Sequence, residues 1–307
     1  MRLAFTGTPA AAVPSLRRLL ESGRHEVVAV ITRPRSRAGR GRREVTSPVE
    51  ELAREAGLRV LSPPKAGDPE FLGTLTALGV ECAPVVAYGA LLPPSALAVP
   101  THGWVNLHFS LLPAWRGAAP VQHAILAGDD VTGASTFRIE AGLDTGPIFG
   151  VVTEPVLPTD TTGDLLARLA MSGANLLAAT MDGISDGSLV PRPQPADGVS
   201  VAAKIAVADA RVPWSSPALH VHRLVRACTP APGAWTMFRG DRLKVGPLRL
   251  ADAALDPGEL LIGAGAVMVG TATCAVELGW VHPPGRRAVP AADWARGARP
   301  QPGERLG

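Results

Sequence analysis

A chain of 307 residues has the length of two packed domains, and 46% hydrophobic against 19% charged residues belongs to a globular, soluble protein with a net charge of only +3. No apolar run approaches the roughly 20 residues of a bilayer span, and the start lacks the apolar core and cleavage site of a secretory leader, so a cytoplasmic protein with no membrane partner is expected. Cys82, Cys228 and Cys274 are odd in number, far apart and without C-x-x-C spacing, which argues against a disulfide framework and gives no metal motif.

In chain order, the first half alternates short apolar runs with helical spacing. Arg2–Phe5, Val27–Thr32, Val85–Ala87 and Val105–His108 read as strands with little polar interruption, as in a parallel sheet covered on both faces. Pro9–Ser22, Pro48–Gly57, Pro69–Leu78 and Pro120–Ala127 read as helices, three of them starting with proline at or near the first helical position, where its missing N–H costs nothing. Ser47, ahead of Pro48 and followed by Glu50 and Glu51, is a helix cap with acids in the first turn. Between the second strand and that helix runs Arg33–Arg43, RPRSRAGRGRR, with six arginines in eleven residues and no acid. Such a block is either a solvated segment or a phosphate-binding loop, and charge alone leaves both open.

Val131–Glu140 and Pro147–Pro155 read as a later antiparallel pair, and Thr162–Ser185 as a long helix. The βαβα order predicts an α/β class with a doubly wound, mostly parallel sheet. Pro191–Gly198, PRPQPADG, is a linker by composition. Beyond it, a helix at Ser216–Ala227 precedes five short strand-like segments, Ala234–Arg239, Leu243–Leu250, Leu260–Ile262, Val267–Val269 and Thr273–Gly279. These predict a small β-barrel, with an oligonucleotide/oligosaccharide-binding (OB-like) fold as one form. Arg223, Arg226, Arg239, Arg242 and Lys244 make a second basic cluster, and the residues from Gly297 onward are expected to be a disordered tail.

The chain holds only two asparagines, Asn106 and Asn175, and 27 arginines against three lysines, so amides and lysines are scarce. Asn106 stands two residues before His108 at a strand's C-terminal end, where ligands of open α/β sheets bind. The i, i+2 spacing puts both side chains on one face. A neutral amide with an imidazole can stabilise and protonate a developing oxyanion. Asp144, inside Gly142–Gly146, is either a turn residue or a carboxylate that orients His108 and raises its pKa. The turn after the first strand, Phe5–Pro9, lacks the further glycines of a dinucleotide site. Tyr88, the only tyrosine, packs in the core or opens a slot for a flat heterocycle.

Taken together these segments resemble the methionyl-tRNA formyltransferase family over nearly the whole chain. The matching motifs are FTGTP (residues 5–9), RAGRGRREVTSPVEELA (37–53), VVAYGALLP (85–93), NLHFSLLPAWRGAAPVQHAILAGD (106–129), GLDTG (142–146), AAKIAVADARVPW (202–214) and LVRACTPAPGAW (224–235). The resemblance implies a Rossmann-like formyltransferase domain over residues 1–188, a linker over 189–205 and a tRNA-binding β-barrel domain over 206–307. It also implies a one-carbon transferase of translation initiation. The formyl group of 10-formyltetrahydrofolate, the cosubstrate, passes to the α-amine of methionyl initiator tRNA, without a metal and in a monomer.

By the same resemblance Asn106, protonated His108 and Asp144 are catalytic. Tyr88, Gly89, Leu91, Leu92, Ser110, Leu111, Leu112, Pro113, Glu140, Ala141, Gly142 and Leu143 hold the folate. Arg40, Arg42, Arg43 and Lys204 meet the tRNA. Many family members carry acid and lysine where this loop reads RPRSRAGRGRR, and the far C-terminus matches weakly. Sister formyltransferases acting on glycinamide ribonucleotide or an amino-sugar nucleotide share the Asn/His/Asp centre but generally lack this combination of loop and barrel. A nucleic-acid-binding protein with a dead α/β domain predicts a broken triad, whereas all three members are present.

Overall fold

The computed structural model describes residues 1–38, 43–263 and 265–307, and close packing divides them into two units. The first comprises Met1–Gly117, Val131–Pro155 and Leu166–Val201, the second Ala118–Asp130, Val156–Leu165 and Ala202–Gly307.

The first unit is built on a seven-stranded sheet in the order Ile148–Pro155, Val131–Arg138, Trp104–His108, Ala83–Val86, Arg2–Gly7, Glu26–Ile31, Val60–Leu61. The last five of these run parallel, and the first two close the sheet as an antiparallel pair. The parallel strands are apolar because both their faces are covered: Leu3, Ala4, Phe5, Ala29, Val30, Ile31 and Val105 are fully buried. From Arg2–Gly7 the chain winds outward to one side and returns on the other at Ala83–Val86, so the crevice of a doubly wound sheet falls at the C-terminal ends of these two strands. Gly7 lets them converge there, since a Cβ would stand 2.8 Å from the carbonyl oxygen of Val86. Ser47 caps the helix Pro48–Glu55, its Oγ accepting the N–H of Glu50 at 3.1 Å. The two-residue strand Val60–Leu61 was too short to show a pattern in sequence.

Backbone pairing of Ser36–Ala38 with Arg43–Val45 folds the ends of the arginine-rich segment into an antiparallel ribbon. Arg40 and Arg42 lie outside the described residues, as does the side chain of Arg43.

In the second unit, two four-stranded antiparallel sheets enclose one apolar core containing Trp214, Val221, Val225, Leu243, Val269 and Val281. Their orders are Trp235–Phe238, Asp241–Val245, Trp280–His282, Val289–Pro290 and Leu248–Ala251, Ala275–Leu278, Val267–Val269, Leu260–Ile262. The expected strand Leu243–Leu250 is two strands, one in each sheet, parted at Gly246-Pro247, where proline cannot donate to a ladder. The expected disordered tail is a correction. The helix Ala291–Ala298 buries Trp294, Leu306 is buried, Arg239 forks onto Glu304, and the N–H of Gly307 donates to the carbonyl of Met237 at 3.1 Å. A polar, Gly/Pro-rich composition masked one apolar anchor and two ion pairs, Arg239–Glu304 and Arg305–Asp256, that order the segment. The second basic cluster also divides in the fold. Arg226 is buried and donates to the carbonyls of Asp160 and Leu157, Arg239 is paired, and Arg242 lies over the Trp235 ring at 4.1 Å.

Candidate active site

The strand Trp104–His108 lies where the parallel and antiparallel parts of the sheet meet: Asn106 pairs with Val85 on one side and with Phe137 on the other. His108, opposite Ser135, ends the strand with its ring buried. The chain then turns tightly. The Ser135 hydroxyl donates to the carbonyl of Ser110 at 2.7 Å and accepts the N–H of Leu112 at 3.1 Å, while the Ser110 hydroxyl donates to the carbonyl of Ala114 at 2.6 Å. Ser110 and Leu112 are thereby buried as parts of the turn itself. Pinned in this way, the turn brings the carbonyl of Trp115 within 2.8 Å of His108 Nε2.

That contact decides the tautomer. A carbonyl only accepts, so Nε2 carries the proton and, in the neutral ring, Nδ1 is a bare lone pair. Nδ1 faces the Asp144 carboxylate at 3.8 Å, too far for a hydrogen bond. Asp144 Oδ2 instead accepts the backbone N–H of Gly117 at 2.8 Å. Burial pushes the His108 pKa below its ordinary 6.5, and the opposing pull of Asp144 and of the Trp115 carbonyl does not restore it. The carboxylate thus acts in the direction expected, but the resting imidazole favours its neutral form, because the ring is buried. Asn106 is half-buried, and its carboxamide has no hydrogen-bond partner among the described residues. The site therefore combines an unpaired amide donor, a neutral imidazole with a free lone pair, and a carboxylate held one small group away.

Asp144 is kept in place by a residue that the sequence reading assigned to a linker. Gln194 Nε2 donates to the carbonyls of Asp144 and Gly146 at 2.7 and 2.8 Å, and its Oε1 accepts from Arg116 Nε at 3.0 Å. Backbone hydrogen bonds between Arg192 and Ile148 pin this proline-rich stretch to the sheet edge. Gly146 is required as well, since a Cβ there would run into the carbonyl oxygen of Arg138. A signal for Gln194 was present in the sequence: glutamines number only three, the same scarcity that singled out Asn106.

Residues 1–181 match the family model described as formyl transferase, and residues 204–299 match formyl transferase, C-terminal domain. The methionyl-tRNA formyltransferase of Streptomyces coelicolor is 64% identical over 309 residues, covering 100% of both chains. The protein of that name from Thermobifida fusca is also 64% identical, over 100% of this chain and 99% of its own. The chain belongs to the methionyl-tRNA formyltransferase family. Among solved structures, HypX from Aquifex aeolicus in complex with tetrahydrofolic acid superposes with a TM-score of 0.66 at 16% identity over 96% of this chain. This chain spans 46% of the HypX chain, and at that identity the likeness is one of fold.

Other family-motif residues fall differently. The Tyr88 ring is built into the core with Phe71, Leu75 and Trp104, so its side chain offers a ligand no surface. Leu91 and Leu143, by contrast, are 86% and 58% exposed. Gly89, Glu140, Ala141 and Gly142 are exposed beside them in sequence, and Leu92, Leu111 and Pro113 are partly buried. Lys204 is exposed in the second unit. Burial pushes the Cys82 and Cys228 thiols up to about 12 and about 11, which leaves neither as a thiolate nucleophile. Among the described residues no group of three or more His, Cys, Asp or Glu is arranged to hold a metal, and no helix is long and apolar enough to cross a membrane.

Proposed function

We propose that this chain transfers the formyl group of 10-formyltetrahydrofolate to the α-amine of methionine on initiator tRNA, in the cytoplasm and as a monomer. For the acceptor, the support is the full-length likeness to enzymes named for methionyl-tRNA. For the chemistry, one observation carries the reading: the bare Nδ1 of His108 and the Asp144 carboxylate stand 3.8 Å apart, a gap that a proton-bearing group can bridge.

In this mechanism Asn106 directs its unpaired N–H at the oxygen of the formyl carbon as the amine adds, a donor of the kind worth about 3 kcal/mol to a developing oxyanion. His108 Nδ1, backed by Asp144, takes the proton released by the attacking amine. The resulting imidazolium lies beside a carboxylate, which stabilises it, and returns the proton to the departing folate nitrogen. A new N–C bond forms, the old one breaks, and the proton ends on the leaving group. Low initial basicity suits His108 to give the proton back.

Leu91 and Leu143 present the exposed apolar surface that a flat heterocycle would cover. The folate side of the site is assigned to Gly89, Leu91 and Leu92, the backbone of Tyr88, the turn Ser110–Pro113 and the loop Glu140–Leu143. Residues 1–188 form the catalytic domain, 189–205 the linker and 206–307 the tRNA-binding domain in this reading, with Arg40, Arg42, Arg43 and Lys204 on the tRNA.

The deciding experiment supplies the protein with 10-formyltetrahydrofolate and, in parallel, charged initiator tRNA, glycinamide ribonucleotide or an amino-sugar nucleotide. Formylmethionyl-tRNA is the expected product by mass spectrometry of the released amino acid. Formylation of a nucleotide-linked amine alone overturns the assignment.

A further inference from the structure

Two non-glycine residues in the left-handed region flank the His108 ring, Trp115 at φ 59° and Asp144 at φ 51°. A residue with a Cβ holds that conformation only where its surroundings impose it, and such positions gather at functional sites. Here Trp115 supplies the carbonyl that meets Nε2, and Asp144 the carboxylate that faces Nδ1. One segment, Arg192–Val201, holds the backbone at both. Gln194 donates to the carbonyl of Asp144. Ser200, farther along, grips the other side: its Oγ accepts the N–H of Trp115 at 2.9 Å, its carbonyl accepts the N–H of Arg116 at 2.9 Å, and its own N–H donates to the carbonyl of Pro113 at 3.4 Å.

The bonds to Trp115 and Arg116 fix the peptide planes on either side of Trp115, so neither of its dihedrals can relax without breaking one. The second of these planes carries the carbonyl that receives the Nε2 proton. Its main-chain bond to the Ser200 carbonyl would survive any side chain at position 200, whereas the bond to the first plane depends on the hydroxyl alone. Gly117, next to Arg116, donates in turn to Asp144 Oδ2 at 2.8 Å, so the Ser200 side of the segment bears on the carboxylate as well. Were Trp115 to relax, the ring would lose the acceptor on Nε2, and the carboxylate opposite Nδ1 would draw the proton to the nitrogen that has to be bare.

We propose, resting on the catalytic reading of His108 given above, that Ser200 is a positioning residue for the transfer: with Gln194 it makes Arg192–Val201 a brace that fixes what each nitrogen of the His108 ring faces. The test uses the full chain, with steady-state kinetics and 15N spectra of the histidine rings. Ser200→Ala should lower kcat about fivefold, the worth of one neutral hydrogen bond, with KM for the formyl donor and for charged tRNA within about twofold of wild type. Ser200→Thr, which keeps a hydroxyl, should restore turnover. In a His108→Ala background, Ser200→Ala should leave the residual turnover unchanged, because a residue that acts only through another has no effect once that one is gone. At about pH 8 the wild-type His108 signal, identified by its absence from His108→Ala, should show the proton on Nε2 alone, and Ser200→Ala should move part of it to Nδ1. An equal fall in both backgrounds makes Ser200 part of the general scaffold and overturns the proposal. So does unchanged turnover in Ser200→Ala, a tautomer that stays single in that variant, or a change confined to KM for charged tRNA, which would place the segment on the acceptor. If His108→Ala itself turns over normally, the catalytic reading fails, and the ring spectra alone decide whether the brace exists.

Discussion

Two histidine–aspartate pairs in the first unit differ in one respect that separates structure from chemistry. His25 Nε2 meets Asp182 Oδ1 at 2.9 Å, and its Nδ1 meets the N-terminal ammonium of Met1 at 3.3 Å. An ammonium only donates and a carboxylate only accepts, so a neutral His25 satisfies both with one proton and nothing is left over. His108 also carries its proton on Nε2, but its Nδ1 faces Asp144 across 3.8 Å with no bond made. The two asparagines divide in the same way: Asn175 accepts from Arg18 Nε at 3.2 Å, whereas Asn106 is unpaired among the described residues. Satisfied polar groups stabilise a fold. Buried or half-buried groups with capacity in reserve cost stability, and a reacting ligand is what completes them.

Substitution tests that contrast most directly. Asn106→Ala and His108→Ala should each lower turnover by about 10²- to 10⁴-fold with tRNA affinity retained, the range for a lost oxyanion donor or proton carrier. Near-normal formylation by His108→Ala would move that residue into the class of His25. A smaller loss is expected for Gln194→Ala, which frees the Asp144 loop without touching the ligand: about tenfold in kcat, as for other residues that orient a functional group. Gln194→Glu should do no better, because it removes the N–H that holds the carbonyls of Asp144 and Gly146.

For the satisfied pair the expectation reverses. His25→Gln or Asp182→Asn should cost about 1–2 kcal/mol in denaturant unfolding, the usual loss for a part-buried hydrogen bond, with formylation retained at permissive temperature. Lost turnover in a folded His25 variant would blur the distinction.

The smallest effect is in pH dependence. Burial holds both His25 and His108 below the ordinary value of 6.5, so the folded state binds fewer protons than the unfolded chain. Stability is therefore complete above that pH and declines as pH falls below 6.5 toward the lowered folded-state values. Unfolding midpoints measured from about pH 8 down to pH 5 should fall on the acid side, and less steeply in His25→Gln; a rise on acidification contradicts the burial of these rings.

Legibility tracked how local each cause was. The parallel strands were readable because covering both faces of a sheet demands unbroken apolar runs, and the helix at Pro48 because cap, proline and acids sit within five positions. Asn106 and His108 were readable because i, i+2 spacing on a strand is a geometric statement in itself. The strands Trp280–His282 and Val289–Pro290 were missed, being too short to show alternation. The C-terminal tail was misread because a single buried Leu306 and the Arg239–Glu304 fork outweigh a composition that favours disorder. Gln194 sat in a segment whose prolines signal a spacer, though its amide was rare enough to notice.

By itself the sequence determined the α/β class, the strand that bears Asn106 and His108, and the family, since these follow from periodicity and from motifs of fixed spacing. Only the tertiary structure decided that Asp144 comes within reach of His108, that the Trp115 carbonyl sets its tautomer, and that burial keeps the imidazole neutral. Asp144 lies 36 positions from His108 and Gln194 a further 50. Distances between such residues depend on how loops fold back over the sheet, and no local pattern encodes that.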